Sequence, residues 1–261
     1  MSNKLYIECN TGISGDMTVA SLLDLGADEN KLMATLDSLR EKVGGFEVKI
    51  SKVEKSGIVA TDFDVILGED NHDHDMNYLY GHNHDDHHDN SHHDHHDHEH
   101  SHHDHHDHEH SHHDHHYHDH DHSHHDHDHH HHVHRNLADI ISIINSAEMA
   151  DSARDLATRV FTIVAEAESA VHGRNIEEVH FHEVGAIDSI VDIISAAVCF
   201  DDIRGRFDIE DVVITRLVDG MGTVRCQHGI LPIPVPAVLK ILEQTDVPIS
   251  IADRQGEYVT P

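Results

Sequence analysis

The sequence has no tryptophan and few basic residues, with 17 Lys and Arg against 50 Asp and Glu and a formal net charge of −33. A chain this acidic lacks the basic patch that nucleic acids and anionic membrane surfaces require, so we expect neither as a partner. No run approaches the roughly 18 apolar residues of a membrane span, and the first residues contain no apolar signal core. We therefore expect a cytoplasmic protein whose natural partners are metal cations.

Cysteine is also scarce, and its placement argues against disulfide bonds. Cys9, Cys199 and Cys226 are odd in number and widely spaced, and no Cys-x-x-Cys pair occurs. This pattern is typical of an intracellular protein without a disulfide framework. The chain contains no Gly-Lys pair either, which excludes a P-loop nucleotide-binding site within it.

Residues 69–134 contain no Lys or Arg, but they hold 33 of the 37 histidines and 18 of the acidic residues. A tract with so few apolar residues cannot offset the entropy cost of ordering, so we expect a disordered insertion. The unit SHHDHHDHEH occurs at residues 91–100 and again at 101–110. Neighbouring imidazoles form exchangeable sites for Ni²⁺, Cu²⁺, Zn²⁺ or Co²⁺. The tract ligands that we predict from these repeats are His92, His93, His95, His96, His102 and His103.

Outside this tract, strand-like and helix-like patterns alternate along the chain. Residues 5–8 and two runs within residues 46–67 have the pattern of strands, and residues 17–42 that of two helices. Helical periodicity resumes at residue 136, and the Gly-rich residues 218–229, VDGMGTVRCQHG, are predicted to be a turn region. We expect a mixed α/β fold in which residues 1–68 and 135–261 form two parts of one folded domain around the 69–134 insertion.

The stretch HFHEVGAIDS, residues 180–189, is a candidate catalytic or metal site. In an extended chain His180 and His182 share one face, and on the following helix Asp188 and Asp192 lie four residues apart on one face. Imidazoles and carboxylates together can hold a metal ion or accept a proton. Alternatively, Asp188 or Ser189 caps the helix and the histidines occupy a polar strand end. The predicted catalytic residues are His180, His182, Glu183 and Asp188, and the predicted ordered metal ligands are His180, His182 and Asp192.

A second candidate is the loop CNTGISGDM, where two glycines precede a helix start. Backbone N–H groups at a helix N-terminus favour an anion, so a phosphate could bind there. The alternative is a tight turn with Ser14 as the helix cap. A weaker candidate is the pair Cys226 and His228, which share a face if extended but could equally occupy core or edge positions. The loop residues predicted to bind a nucleotide cofactor are Gly12, Ser14, Gly15 and Asp16.

Four long motifs, YIECNTGISGDM, VHFHEVGAIDSIVDI, GMGTVRCQHGILPIPVPA and GEYVTP, resemble the LarC-type nickel-insertion proteins. A variable His-rich insertion is also seen in that family. The resemblance implies a nickel chelatase of the lyase class. Its reaction is the insertion of Ni²⁺ into pyridinium-3,5-bisthiocarboxylic acid mononucleotide, which makes the nickel-pincer nucleotide cofactor of lactate racemase.

The resemblance also implies further cofactors and partners. The family couples nickel insertion to CTP hydrolysis with Mn²⁺ or Mg²⁺, in a domain that follows the VTP motif. Because this chain stops at Pro261, CTP is expected to bind outside it, in its own C-terminal domain or the product of a second reading frame. Lactate racemase is implied as a further partner. From its soft thiolate donor, Cys9 is a candidate ligand for the metal in transit. The competing interpretations are a non-enzymatic nickel-storage protein or metallochaperone, and a metal-dependent hydrolase.

Overall fold

The computed structural model describes residues 3–68, 135–181, 184–226 and 228–261. These residues form a mixed α and β structure, which confirms the predicted fold class. The disorder predicted for residues 69–134 and the tract ligands His92, His93, His95, His96, His102 and His103 lie outside the described residues, as do His182 and Glu183. The helices are α1 (Gly15–Leu25), α2 (Glu29–Val43), α3 (Leu137–Ser146), α4 (Asp151–His172), α5 (Ile187–Arg206) and α6 (Pro236–Leu242).

The strands pair in twos. Two pairs are parallel, β1 (Asn3–Ile7) with β6 (Ile209–Ile214) and β7 (Leu217–Met221) with β10 (Ile249–Gln255). The antiparallel pairs are β2 (Phe46–Lys55) with β3 (Ile58–Leu67), β4 (Arg135–Asn136) with β5 (His180–Phe181), and β8 (Thr223–Cys226) with β9 (Gly229–Pro232). Ser56 and Gly57 both have positive φ, the conformation of the tight turn that best joins two antiparallel strands.

One hydrophobic core combines residues from before and after the histidine tract. Leu32 and Leu36 on α2 are fully buried, as are Phe161 on α4 and Ile190 and Ile194 on α5. Burying a side chain of this size contributes roughly 1.5–3 kcal/mol, so these contacts fix α5 at the centre of the helical layer. Helix α5 packs against α1, α2 and α4, which places its N-terminal turns beside the start of α1.

The prediction that VDGMGTVRCQHG is a turn region is wrong, because Leu217–Met221 and Thr223–Cys226 are strands. Its glycines serve close backbone approach as well as turning. A Cβ on Gly220 would lie 2.0 Å from the carbonyl oxygen of Gly256, so only glycine allows β7 to pack so closely against that segment. Gly222, with φ of 103°, makes the turn between the two strands.

The start of helix α5 differs from one of the alternatives that the sequence left open. Helix α5 begins at Ile187, so Asp188 lies in its first turn, and the N-cap position is Ala186, which makes no side-chain cap bond. The alternative in which Asp188 or Ser189 caps this helix is therefore wrong. Among the described residues, no helix is both long and apolar enough to cross a membrane.

Candidate functional site

A cleft of about 340 Å³ opens where α1, α5, β3 and residues 257–261 meet. Its walls carry both negative and apolar side chains, and we call it the carboxylate cleft. So many acidic groups around one opening favour a cation over an anion. The carboxylates that line it are Asp16, Asp64, Asp188, Asp192 and Glu257. The remaining lining residues are Ser14, Gly15, Phe63, Val65, Val184, Ser189, Ile193, Thr260 and Pro261.

Helices α1 and α5 approach each other most closely at Gly15 and Asp192. A Cβ on Gly15 would lie 2.7 Å from both Cβ and Oδ2 of Asp192, a distance that no side chain tolerates. The backbone N–H of Asp16 donates a hydrogen bond to the Asp192 carboxylate. The other carboxylate oxygen, Oδ1, is buried and accepts no hydrogen bond from the described residues. Because Gly15 has no side chain, the Asp192 carboxylate can lie at the cleft wall beside the start of α1.

Asp192 has an unusual protonation equilibrium. Burial raises its pKa to about 8, and the negative charges of Asp16 and Asp188 act in the same direction, against the single hydrogen bond from the Asp16 backbone. At neutral pH the carboxyl therefore holds its proton most of the time. A cation bound beside these three residues would favour the ionised form and displace that proton.

Ser14 occupies the N-cap position of α1 but makes no cap bond. Its Oγ instead donates to Oδ1 of Asp16, which fixes the orientation of that carboxylate at the cleft mouth. The preceding Gly12 has φ of 98° and packs against Tyr258, whose carbonyl oxygen would lie 2.0 Å from a Cβ at this position. Ser14, Gly15 and Asp16 thus line the cleft, whereas Gly12 shapes the turn that leads to it.

Residues 257–261 form the last wall, and a buried carboxylate anchors them. Asp219 is fully buried, and its Oδ1 accepts hydrogen bonds from the backbone N–H groups of Tyr258 at 2.8 Å and Val259 at 3.3 Å. The backbone N–H of Ile13 donates to the Tyr258 carbonyl at 2.8 Å, and that of Thr260 donates to the Ile13 carbonyl at 3.2 Å. The loop after β1 and the segment after β10 are thereby fixed side by side.

Comparison with known proteins identifies the family to which this arrangement belongs. Residues 5–261 match the family described as nickel insertion protein. The chain belongs to that family. The resemblance predicted from the four sequence motifs is therefore confirmed.

The curated relatives of this nickel insertion family member are longer proteins. The pyridinium-3,5-bisthiocarboxylic acid mononucleotide nickel insertion protein of Alkaliphilus metalliredigens is 43% identical over 262 residues, which cover 100% of this chain and 50% of that protein. Its namesake in Clostridium acetobutylicum is 43% identical over 98% of this chain and 53% of its own length. The namesake in Acetivibrio thermocellus is 35% identical, over 98% and 49%. The chain spans about half the length of these relatives, and no solved structure matches it.

In this nickel insertion family member, two of the predicted metal ligands, Cys9 and His180, lie outside the carboxylate cleft. Cys9 is buried in a small second core with Leu217, Val235, Val238 and Val259, and burial raises the pKa of its thiol. Its backbone N–H donates to Oγ1 of Thr215 at 2.8 Å. His180 is exposed on β5, where it pairs in register with Asn136. Neither residue lines the cleft, so the structure joins Asp188 and Asp192 to Ser14, Gly15 and Asp16 but not to these two.

Three acidic residues of this site are absent from the set predicted from the sequence: Asp64, Asp219 and Glu257. Glu257 stands in the motif GEYVTP, and Asp219 stands in the Gly-rich stretch VDGMGTVRCQHG. Within the ranges that the structure describes, no group of three or more His, Cys, Asp and Glu side chains is already arranged to hold a metal ion. The cleft therefore offers a negative surface rather than a complete ligand set.

Proposed function

We propose that this chain binds Ni²⁺ in the carboxylate cleft and inserts it into pyridinium-3,5-bisthiocarboxylic acid mononucleotide. The product would be the nickel-pincer nucleotide that lactate racemase uses, and the chain would act as a nickel chelatase of the lyase class in the cytoplasm. The observation that carries this proposal is the convergence of Asp16, Asp188 and Asp192 on one cleft. The names of the relatives supply the substrate.

Charge explains why the metal would enter before the nucleotide. The thiocarboxylate and phosphate groups of the substrate are negative, and so are the side chains of the cleft, so the two repel until a cation lies between them. Ni²⁺ held by carboxylates keeps several exchangeable positions, which the two sulfurs of the substrate can take from water. An incomplete protein ligand set suits this transfer, because the protein must release the ion.

The insertion also needs a group that accepts a proton. As the nickel–carbon bond forms, the C–H bond of the pyridinium ring breaks and its proton must leave. Asp188 and Asp192 lie four residues apart on α5 and both line the cleft. We assign to this pair the two tasks of holding the ion and accepting the proton.

The phosphate site predicted at Gly12, Ser14, Gly15 and Asp16 stays a prediction. One of the backbone N–H groups at this helix start, that of Asp16, already binds the Asp192 carboxylate. A phosphate there would also face the side chain of Asp16. We therefore propose that the nucleotide binds at this helix start only when nickel already occupies the cleft, because the cation offsets the repulsion.

We place the CTP requirement, with Mn²⁺ or Mg²⁺, outside these 261 residues. The length of the relatives supports this, since the chain covers 50% of one and 53% of another. A C-terminal domain, or the product of a second reading frame, would supply the CTP chemistry to the cleft. Lactate racemase would then be the acceptor of the finished cofactor.

The decisive experiment mixes the chain, with and without the C-terminal half of the Alkaliphilus metalliredigens relative, with Ni²⁺, CTP and the dithiolated mononucleotide, and measures nickel bound to the small molecule by mass spectrometry. In the complete system we expect Asp188→Asn and Asp192→Asn to lower insertion by about 100-fold or more. Asp246→Asn, an exposed carboxylate outside the cleft, serves as the matched control. Wild-type rates in both cleft variants would contradict the proposal.

Nickel storage or delivery to another protein is the second candidate, and the 33 histidines of residues 69–134 favour it. Deleting that tract separates the two functions. An insertion enzyme without the tract still loads its substrate when Ni²⁺ is abundant, whereas a storage protein loses its metal capacity and has no other activity. Full insertion by the deletion variant at high Ni²⁺ would exclude storage as the main function.

A further inference from the structure

A second group of metal-ligating side chains lies outside the carboxylate cleft. His172 is the last residue of α4, Cys226 ends β8, and His228 lies between β8 and β9. The ring centroids of His172 and His228 are 4.8 Å apart, and Sγ of Cys226 is 4.0 Å from Nδ1 of His228. Nε2 of His172 lies 3.3 Å from Oε2 of Glu168. We call His172, Cys226 and His228 the thiol–imidazole cluster.

Cys226 differs from the other two cysteines in its solvent exposure. Cys9 and Cys199 are each 1% exposed within the hydrophobic cores, where burial raises the pKa of both thiols. Cys226 is only half-buried, and His228 is exposed. A thiol that solvent can reach, 4.0 Å from an imidazole nitrogen, is placed for metal chemistry rather than for core packing.

The donor types select a particular class of ion. Thiolate and imidazole bind borderline and soft transition metals such as Ni²⁺ and Zn²⁺, whereas the oxygen ligands of the carboxylate cleft suit harder ions as well. Glu168 accepts a hydrogen bond from Nε2 of His172 when that nitrogen carries the proton, which leaves Nδ1 as the metal-binding atom. Such a carboxylate partner is the usual orienting group of a metal-bound histidine.

The sulfur–nitrogen distance between Cys226 and His228 requires only a small closure. With metal–sulfur and metal–nitrogen bonds of about 2.3 and 2.1 Å, two ligands of a tetrahedral ion lie about 3.6 Å apart. The observed separation of 4.0 Å between sulfur and nitrogen is a few tenths of an ångström longer. Among the described residues no group of three or more His, Cys, Asp and Glu side chains is arranged to hold a metal ion. The side chain of His172 must therefore rotate toward the other two ligands as the ion binds.

We propose that Cys226, His228 and His172 form a binding site for a divalent transition metal, with Glu168 orienting His172. Binding forms a metal–sulfur bond, and the thiol proton of Cys226 passes to solvent. The identity of the metal as Ni²⁺ rests on the proposed function, whereas the binding itself does not. In a nickel chelatase this site would supply a soft ligand for nickel during its transfer, the role that was predicted for Cys9.

Thiolate-to-metal charge-transfer absorption tests the proposal, because residues 69–134 contain no cysteine and cannot produce it. The full chain is reduced, then titrated with Ni²⁺ and separately with Co²⁺ beyond the capacity of the histidine tract. We expect a near-ultraviolet band in the wild-type protein and in the Cys199→Ala control, and its loss in Cys226→Ser. Circular dichroism verifies that each variant is folded.

A second variant probes the orienting carboxylate. Glu168→Gln should keep the charge-transfer band but require about tenfold more metal to reach it, because a histidine ligand without its carboxylate partner binds more weakly. No band in the wild-type protein, or a band that persists in Cys226→Ser, would overturn the proposal. These readouts do not depend on nickel insertion, so a failed insertion assay leaves them interpretable.

Discussion

Asp192 is the residue at which folding changes protonation most clearly. Its pKa rises from 3.8 to about 8, mainly because the carboxyl is buried. The folded protein therefore holds this proton more tightly than the unfolded chain does. The resulting contribution to stability is complete below about pH 4 and is lost as the pH rises through about 8.

Asp192→Asn removes this dependence while keeping an oxygen that can accept the hydrogen bond from the Asp16 backbone. We expect the variant to gain stability over the wild type by about 2 kcal/mol or more between about pH 5 and about pH 8.5. Urea unfolding at both pH values, in buffer that contains a metal chelator, measures the difference. Asp246→Asn should show no such gain, and a pH-independent difference for Asp192→Asn would contradict the protonated carboxyl.

Gly15→Ala tests the close approach of α1 to Asp192. The added Cβ would lie 2.7 Å from Oδ2 of Asp192, so the helices must separate, and we expect a loss of about 1–3 kcal/mol. The control is Gly205→Ala, because no atom lies within 4 Å of a Cβ at that helical position. That change should stabilise the protein by about 0.5–1 kcal/mol. Equal unfolding free energies for the two variants would exclude the steric explanation.

At the residue scale, only part of the cleft could be predicted from the sequence. Asp188 and Asp192 stand four apart on a helix, and helical spacing alone places them on one face. Asp64 and Glu257 come from a strand and a terminal segment, and no local pattern relates them to that helix. Their position depends on tertiary packing, as does the burial of Cys9, whose neighbours lie in residues 217–259.

At the scale of elements, one buried side chain, that of Asp219, anchors the segment 257–261 in addition to its backbone hydrogen bonds with Ile13. Asp219→Ala would leave the backbone N–H groups of Tyr258 and Val259 without their acceptor. Each buried donor left unpaired costs about 1–3 kcal/mol. We expect amide hydrogen exchange at these two residues to become at least about tenfold faster.

The matched control for this change is Asp253→Ala, which removes an exposed carboxylate from β10. Exchange at Tyr258 and Val259 should be unchanged in that variant. If Asp219→Ala accelerates exchange equally throughout the core, then Asp219 stabilises the whole fold and has no special role at the cleft.

Elements with a regular apolar period were predictable, and elements built on glycine were not. Leu32, Leu36 and Leu39 repeat at helical spacing and are fully buried on α2, as the sequence indicates. Strand β7 contains Gly220, and a Gly-rich stretch such as residues 218–229 predicts a turn region rather than a strand. Its actual role is to let two backbones approach, and only the partner segment around Gly256 reveals this.

At the scale of the whole molecule, residues on both sides of the histidine tract share one core. Replacing residues 69–134 with a short Gly-Ser linker should therefore change the melting temperature by less than about 3 °C. The same deletion removes 33 imidazoles. We expect most of the bound nickel to be lost, as measured by equilibrium dialysis with the full chain as control. If the deletion lowers the melting temperature by about 10 °C or more, the tract stabilises the fold.

Acid should release nickel from the full chain. A histidine must be neutral to bind a metal, and its usual pKa is about 6.5, so dialysis at about pH 5 should remove most of the ions held by the tract. Retention of nearly all nickel at about pH 5 would mean that carboxylates, rather than imidazoles, hold it.

The bridge between Ile13 and Val259 has a consequence for biosynthesis. A ribosome makes residues 14–16, on one side of the carboxylate cleft, about 245 residues before residues 257–261 on the other side, at roughly 5–20 residues per second. The histidine tract of the nascent chain is therefore synthesised well before residues 257–261 complete the cleft. Metal that binds during synthesis would bind the tract first. The cleft could bind metal only after residues 257–260 have left the exit tunnel.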